Sequence, residues 1–250
     1  MDTERNLIYL YLGNALCGVT SSVSLAIVWS YWNYALNSCV NEEENCGCIL
    51  YSTATFNTFT GGTRFFCRFY TYIQIPVVFW AVFTLFFHTY RVCIPTKSKR
   101  FRRRGERKVT FNEDGIRSSR LDISERSPPC YTLFAVVSAL IGFLLLAQVW
   151  IITGGYYFTC REYRKAVAKQ LMANGQLSEL VFDRLSCESM LDFLDYLQPD
   201  PETLLDKYRR HYRIHTAYFL QVALVSSWVS CTLWIATALY NLHKVFEKRK

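Results

Sequence analysis

Four long apolar stretches constrain the fold of this chain more than any other feature. They cover residues 7–36, 69–92, 131–154 and 216–242. A helix needs about 20 residues to cross a hydrocarbon core of about 30 Å, and each stretch is long enough. Because lipid offers backbone N–H and C=O groups no partner, each stretch must bond within itself as a helix. The sequence therefore predicts an all-α membrane fold, with one four-pass domain over residues 1–250 built as a four-transmembrane-helix bundle.

The distribution of lysine and arginine predicts which helix ends face the cytosol. The N-terminus, the segment 91–130 and the C-terminal tail hold 17 of the 28 basic residues and 8 of the 20 acidic ones. The loops 37–68 and 155–215 hold 11 basic and 12 acidic residues. Positively charged short loops stay in the cytosol, so we expect both termini and the loop 93–130 there. The basic cluster at 207–213 runs against this bias, but a loop of about 60 residues translocates largely regardless of charge.

Six cysteines fall on the predicted outer side or at its edge: Cys39, Cys46, Cys48, Cys67, Cys160 and Cys187. Because that compartment is oxidising, we expect disulfide bonds. Six cysteines allow 15 pairings, and the sequence does not choose among them. A metal site is disfavoured, because Cys46-Gly47-Cys48 has C-x-C spacing and no histidine lies nearby. We expect neither a metal nor a cofactor.

The first outer loop, residues 37–68, predicts a small antiparallel β-sheet. Residues 48–56 are rich in strand formers. Gly61-Gly62 is a turn signal, and residues 63–67 alternate imperfectly beyond it. We expect two or three strands lying over the helix ends. A bond between Cys48 and Cys67 would tie this sheet to the top of the second helix.

The second outer loop, residues 155–215, has a different character. Residues 161–173 and 178–197 both show helical periodicity. The sequence therefore predicts that the second outer loop is helical. We expect a compact helical cap, stapled by Cys160 and Cys187.

The loop 93–130 carries a dense basic run beside the membrane: Lys97, Lys99, Arg100, Arg102, Arg103, Arg104, Arg107 and Lys108. Attraction to anionic lipid is worth about 1 kcal/mol per basic residue near the surface. We therefore expect these side chains to bind lipid headgroups of the cytosolic leaflet, besides fixing topology. Nucleic-acid binding is disfavoured, because the loop is tethered between two spans. Cys93 and Cys130, at the cytosolic helix ends, are candidate palmitoylation sites, with an unmodified thiol as the alternative.

Several short motifs resemble those of a known family. They are Gly47-Cys48-Ile49-Leu50-Tyr51, Cys67-Arg68-Phe69, Cys160, Ser186-Cys187-Glu188 and, in the fourth span, Ser226-Ser227-Trp228 and Trp234-Ile235-Ala236. Together they resemble the transmembrane protein 179 family, a group of animal four-pass proteins. The resemblance implies an integral membrane protein with disulfide-bonded outer loops and no established activity. Cys39, Cys46 and the longer basic loop depart from that pattern. A claudin-like plan applies as architecture only, because the G-L-W signature is absent.

The sequence favours a non-enzymatic integral membrane interaction protein. Asp, Glu, Lys and Arg, which transport pathways usually need, are absent from the membrane interior. The outer loops, in contrast, are elaborate. We expect an accessory subunit of a channel or receptor, or an adhesion or scaffold component, with a membrane-protein partner. The alternative is a pore or transporter subunit whose polar path is lined by Asn14, Gln74, Gln148 and Gln221. The other interpretation of these four side chains is that each pairs with a neighbouring helix.

The histidines do not predict an enzyme. The four of them, at positions 88, 211, 215 and 243, do not cluster with carboxylates on one side. His88 is expected at the cytosolic interface. His211 and His215 are spaced i, i+4, but they lack the internal Glu of a zinc-protease motif and lie among arginines. The default location is the plasma membrane, while the tail Glu-Lys-Arg-Lys leaves retrieval to the endoplasmic reticulum open.

Overall fold

A computed structural model describes residues 2–35, 46–54, 59–93, 130–170, 184–197 and 214–247, which form five helices and one small sheet. The elements in chain order are α1 (Asp2–Ala35), β1 (Cys46–Ala54), β2 (Phe59–Thr63), α2 (Arg64–Cys93), α3 (Cys130–Gln170), α4 (Cys187–Leu197) and α5 (Thr216–Glu247). Helices α1, α2, α3 and α5 are long and apolar enough to cross a membrane. By the length and composition of these helices the chain is a multi-pass membrane protein, as its four apolar stretches predict.

The third span continues beyond its predicted end at residue 154. Helix α3 runs without a break to Gln170. Gly154 and Gly155 do not end it, because β1 lies against them, and a Cβ at Gly155 would be 2.9 Å from Leu50 Cβ. The residues that follow are mostly good helix formers. The segment predicted to be helical from residue 161 therefore continues the span, and the part of α3 from residue 155 to Gln170 is about 24 Å long at 1.5 Å per residue.

The predicted sheet is present with two strands among the described residues, but its predicted turn at Gly61-Gly62 is wrong. Strands β1 and β2 are antiparallel, with Cys48 opposite Gly62 and a register shift before Thr53. Both glycines lie inside β2. A Cβ at Gly62 would come within 2.1 Å of the Leu50 carbonyl oxygen. The close approach of β1, and not a turn, therefore requires glycine here.

The strand predicted over residues 63–67 is also wrong, because α2 begins at Arg64. The helical period of the buried residues explains why this segment is a helix and not a strand. Cys67 and Tyr70 are three residues apart, share one helix face and are both fully buried. Phe65 points outward and is 61% exposed. A strand would instead have placed alternate residues on opposite faces.

Three neighbouring helix pairs pack closely and the fourth does not. Helix α1 packs against α2 and α5, and α5 also packs against α3. Glycine permits this approach: a Cβ at Gly18 of α1 would be 2.8 Å from Val78 Cγ2 of α2. Small side chains let membrane helices come close in this way. Helices α2 and α3 meet mainly through long side chains, such as Phe134 and Phe87, whose ring centroids are 5.4 Å apart.

The apolar core has two parts, one toward each end of the bundle. The part nearer the sheet includes Leu25, Trp32, Ile49, Leu50, Ile152 and Leu194. The other part includes Leu7, Tyr11, Leu145, Val149 and Trp234. We call these the cap end and the far end. The cap itself consists of β1, β2, α4 and the part of α3 beyond Gly155.

Candidate functional site

Two disulfide bonds hold the cap, one joining it to α2 and the other joining its own parts from α3 and α4. Cys48–Cys67 joins β1 to α2, and Cys160–Cys187 joins α3 to α4. Cys39 lies outside the described residues, as does the side chain of Cys46, which begins β1. The two bonds close loops with sequence separations of 19 and 27. Loops of this size are stabilised by about 3 kcal/mol through the lost freedom of the unfolded chain.

Thr159 of α3 fixes β1 by three hydrogen bonds. Its hydroxyl donates to the Ile49 carbonyl oxygen at 2.9 Å. It accepts from the backbone N–H and from the hydroxyl of Ser52, each at 3.2 Å. All three residues are buried, and buried polar groups are stable only when bonded in this way. The sheet is therefore held directly on the third span.

A chain of hydrogen bonds joins α4, α5 and α1 at the base of the cap. Asp195 accepts from the backbone N–H of Thr216 at 2.9 Å and from its hydroxyl at 2.6 Å, so it caps the N-terminus of α5. The Thr216 hydroxyl accepts from Trp32 Nε1 at 2.8 Å. Burial raises the pKa of the Asp195 carboxyl above its usual value, and each bond from Thr216 lowers it by less. The charge of Asp192 raises this pKa further, and that of His215 lowers it.

A hydroxyl cluster joins α1, α2 and α5 inside the cap end of the bundle. The Tyr70 hydroxyl bonds Ser21 Oγ at 2.6 Å and also contacts Ser227 Oγ. It donates to the Ala223 carbonyl oxygen at 3.0 Å. The two serine hydroxyls are 2.9 Å apart. The sequence analysis missed this cluster, because serine and tyrosine in a span resemble small and interfacial residues until the helix pairing is known.

All four residues predicted for a polar path bond a neighbouring helix. Gln74 Nε2 of α2 donates to Gln148 Oε1 of α3 at 3.0 Å, across the loosely packed pair. Asn14 Nδ2 of α1 donates to Thr237 Oγ1 of α5 at 3.3 Å. Gln221 of α5 is half-buried, and its side chain bonds the Tyr156 hydroxyl of α3. These bonds hold helices together, which is the commonest role of such side chains in membranes.

His88 is fully buried between helices at the far end, while its depth at the cytosolic membrane interface stays a prediction. Its ring is stacked on Tyr11 of α1 at 5.5 Å and lies 5.6 Å from the Phe134 ring of α3. The spacing of α2 explains the burial, because Gln74, Ala81 and His88 are seven residues apart and all lie on the buried face. That spacing is visible in the sequence and would have identified His88 as an interior residue.

Other predicted sites lie at or beyond the edges of the described segments. The eight basic residues predicted to bind lipid are outside them, as is His211. Cys93 ends α2 and Cys130 begins α3, and their side chains are not described. His215 and His243 lie at opposite ends of α5. Within the described segments, no three His, Cys, Asp or Glu side chains are grouped so as to hold a metal ion.

Comparisons with known proteins add no relative. No family model matches this chain, and neither a curated protein nor a solved structure matches it. The resemblance to the transmembrane protein 179 family therefore rests on the short motifs alone. The function has to be argued from the geometry of the cap and the bundle.

Proposed function

We propose that this protein is a non-enzymatic integral membrane interaction protein, an accessory subunit of a channel or receptor whose cap meets a membrane-protein partner. The main support for this proposal is the way in which the membrane helices hold the cap. Each membrane helix contributes to it: α2 through Cys67, α3 through Thr159, α5 through Thr216 and α1 through Trp32. A surface fixed in advance loses little conformational entropy when it binds. An adhesion or scaffold component would use the same surface.

The interior of the bundle supports the same proposal. Polar side chains that a transport path would need are bonded across helix pairs, as in Gln74–Gln148 and Asn14–Thr237. Each such bond adds stability to the bundle, on average about 0.6 kcal/mol in membrane proteins. A stable bundle is what a rigid cap requires beneath it.

The proposal includes an orientation. Disulfide bonds persist in oxidising compartments, so the cap faces outside and both termini face the cytosol. The basic loop between α2 and α3 then lies against anionic lipids of the cytosolic leaflet. The plasma membrane is the proposed location, and the resemblance to the transmembrane protein 179 family agrees with this arrangement.

Photo-crosslinking from native membranes tests the proposal. A photoreactive residue at Thr53 or Lys165 would sit on the exposed surface of the cap. One at Val225, which is 59% exposed on α5 within its membrane segment, is the control. We expect mass spectrometry to identify the same membrane protein at both cap positions and not at Val225. Recovery of the chain alone at the cap positions would refute the accessory-subunit proposal and favour the pore alternative.

A further inference from the structure

The two disulfide bonds of the cap differ in how far solvent reaches them. In Cys48–Cys67 both cysteines are fully buried, between β1 and the first turn of α2. In Cys160–Cys187 only Cys160 is buried, at 3% exposure, whereas Cys187 is half-buried. Thiol–disulfide exchange begins when a thiolate reaches one of the two sulfur atoms, and exposed disulfide bonds are the labile ones. The second bond is therefore the one that an external thiol can attack.

Cys187 also occupies the first position of α4. Ser186 caps this helix, since its hydroxyl accepts from the backbone N–H of Ser189 at 3.1 Å. The N-terminus of a helix carries a partial positive charge, which stabilises a thiolate in the first turn. The exposed charges of Arg184 and Glu188 on either side of Cys187 are opposite in sign, so they do not remove this effect. The helix therefore favours the product of reduction at Cys187.

We propose that Cys160–Cys187 is a thiol–disulfide exchange site, which an external dithiol reduces while Cys48–Cys67 stays closed. One thiolate of the dithiol attacks Cys187 Sγ, and Cys160 leaves as a thiolate that takes up a proton. The second thiolate of the dithiol then attacks the dithiol sulfur of this mixed disulfide and releases Cys187 at the start of α4. The dithiol loses two electrons and two protons and becomes a disulfide. The protein bond gains the electrons, and the second proton goes to Cys187 or to water.

Reduction at this site would free the first turn of α4 and leave the rest of the helix in place. The buried apolar residues that hold α4 on the core lie from its fourth residue onward and are Met190, Leu191 and Leu194. Asp195, which accepts two hydrogen bonds from Thr216, lies further along still. The Cys160–Cys187 bond, in contrast, attaches the start of α4 to α3. Its loss therefore separates the beginning of α4 from α3 without detaching the cap.

Differential alkylation in native membranes tests the exchange site. The membranes are treated with dithiothreitol, new thiols are blocked with N-ethylmaleimide, and mass spectrometry follows each cysteine pair. We expect Cys160–Cys187 to be reduced at least about tenfold faster than Cys48–Cys67, because access to sulfur limits the attack. The chain denatured in SDS is the matched control, and there the two rates should converge.

Two outcomes of the alkylation would refute the proposal. One is that Cys48–Cys67 is reduced in the membrane as fast as Cys160–Cys187 or faster, including the case in which neither bond is reduced. The other is a difference between the two rates that persists after denaturation, because it would not come from the fold.

Hydrogen exchange of the purified chain tests the structural consequence without a reductant. Cys160→Ser combined with Cys187→Ser removes the bond, so we expect faster exchange of the backbone amides of residues 188–191 and unchanged exchange of residues 48–52 in β1. Cys17→Ser, which removes a free cysteine from α1, is the control and should change neither. Unchanged exchange at 188–191, or an equal rise in β1, would contradict a local release of α4. The accessory-subunit proposal is independent of both measurements, because photo-crosslinking of the oxidised cap tests it.

Discussion

At the scale of single residues, Tyr51 places the sheet on the third span. Its backbone φ of 59° lies in the left-handed region, which costs a residue with a side chain about 1–3 kcal/mol. Ring packing offsets this cost, because the Tyr51 ring lies 4.7 Å from the Phe66 ring and 5.7 Å from the Phe158 ring. The ring also lies against α3 at Gly154 and Gly155, where a Cβ would collide with it.

We expect Gly155→Ala to loosen β1 from α3. The new Cβ would lie 2.9 Å from Leu50 Cβ and 3.0 Å from Tyr51 Cε2, and overpacking of this kind costs about 1–3 kcal/mol. Gly142→Ala is the control on the same helix, since its Cβ would meet Ile235 Cγ1 at 3.6 Å, an ordinary contact. Thermal unfolding in detergent should show a lower melting temperature for the first variant alone. Equal melting temperatures for the two variants would contradict the described packing of β1 against Gly155.

The Asp195 carboxyl gives the cap a pH dependence of defined sign. Burial raises its pKa above the ordinary 3.8, so the carboxyl holds its proton more tightly in the folded chain than in the unfolded one. A group of this kind contributes stability that is complete below the ordinary pKa and is lost as pH rises through the raised one. The melting temperature of the wild type minus that of Asp195→Asn should therefore be larger in acid than at neutral pH.

Glu188→Gln is the control for the Asp195 variant, because it removes an exposed carboxylate from the same helix. Its difference from the wild type should change little over the same pH range. If the Asp195→Asn difference instead grew toward neutral pH, the two hydrogen bonds from Thr216 would outweigh burial, and the stated cause of the pKa shift would be wrong.

At the scale of elements, the loosely packed pair α2 and α3 depends on a bond between two amides. Gln148→Leu removes the bond from Gln74 Nε2 and the 3.4 Å bond that Gln148 Nε2 donates to the Tyr70 carbonyl oxygen. It also leaves a buried amide donor on Gln74. We expect the free energy of unfolding to fall by about 1 kcal/mol, because interhelical hydrogen bonds in membranes reach at most about 1.7 kcal/mol. Reversible unfolding in mixed micelles measures it.

The double variant Gln74→Leu with Gln148→Leu separates the energy of the lost hydrogen bond from the cost of leaving the Gln74 amide unsatisfied. Replacing both partners by apolar groups is nearly neutral, whereas removing one leaves an unsatisfied donor. The double variant should therefore be more stable than the single one.

The same Gln148→Leu chain in liposomes tests the pore alternative. Ion flux through the wild type that the substitution abolishes would contradict a purely structural role.

The membrane helices could be predicted from the sequence, but their ends could not. Apolar length alone identifies a span, because lipid forces the backbone into a helix. The ends depend on what lies against them. Helix α3 continues through Gly155 because β1 packs on it, and α2 begins at Arg64 because Cys67 already lies on the buried face of the helix. Such tertiary contacts leave no local signal in the sequence.

The side-chain clusters depended still more on the helix arrangement. Ser21, Tyr70 and Ser227 are distant in sequence and meet only because α1 packs against both α2 and α5. The buried face of α2, in contrast, follows from the seven-residue spacing of Gln74, Ala81 and His88, which is visible in the sequence.

At the scale of the whole molecule, the two ends of the bundle differ in how they are closed. Disulfide bonds and the bonds of Thr159 and Thr216 close the cap end. Aromatic and amide contacts close the far end, such as the 3.3 Å bond from Asn241 Nδ2 to the Tyr11 hydroxyl. Helix α2 ends and α3 begins at the far end, and the basic run lies between these two helix ends along the sequence. Disulfide bonds need an oxidising compartment and basic loops stay cytosolic, so both features favour the same orientation.

Two single substitutions test that orientation, since each completes an N-x-Thr glycosylation acceptor. Gln176→Thr makes Asn174 an acceptor in the second outer loop, and Asp114→Thr makes Asn112 one in the basic loop. Only a site on the lumenal side of the membrane during synthesis is glycosylated. We expect the first variant alone to gain a glycan, seen as an enzyme-sensitive mass shift. A glycan on the second variant alone would indicate the opposite orientation, with the disulfide-bonded cap in the cytosol, where such bonds are rare. That result would remove the ground for an outer docking surface.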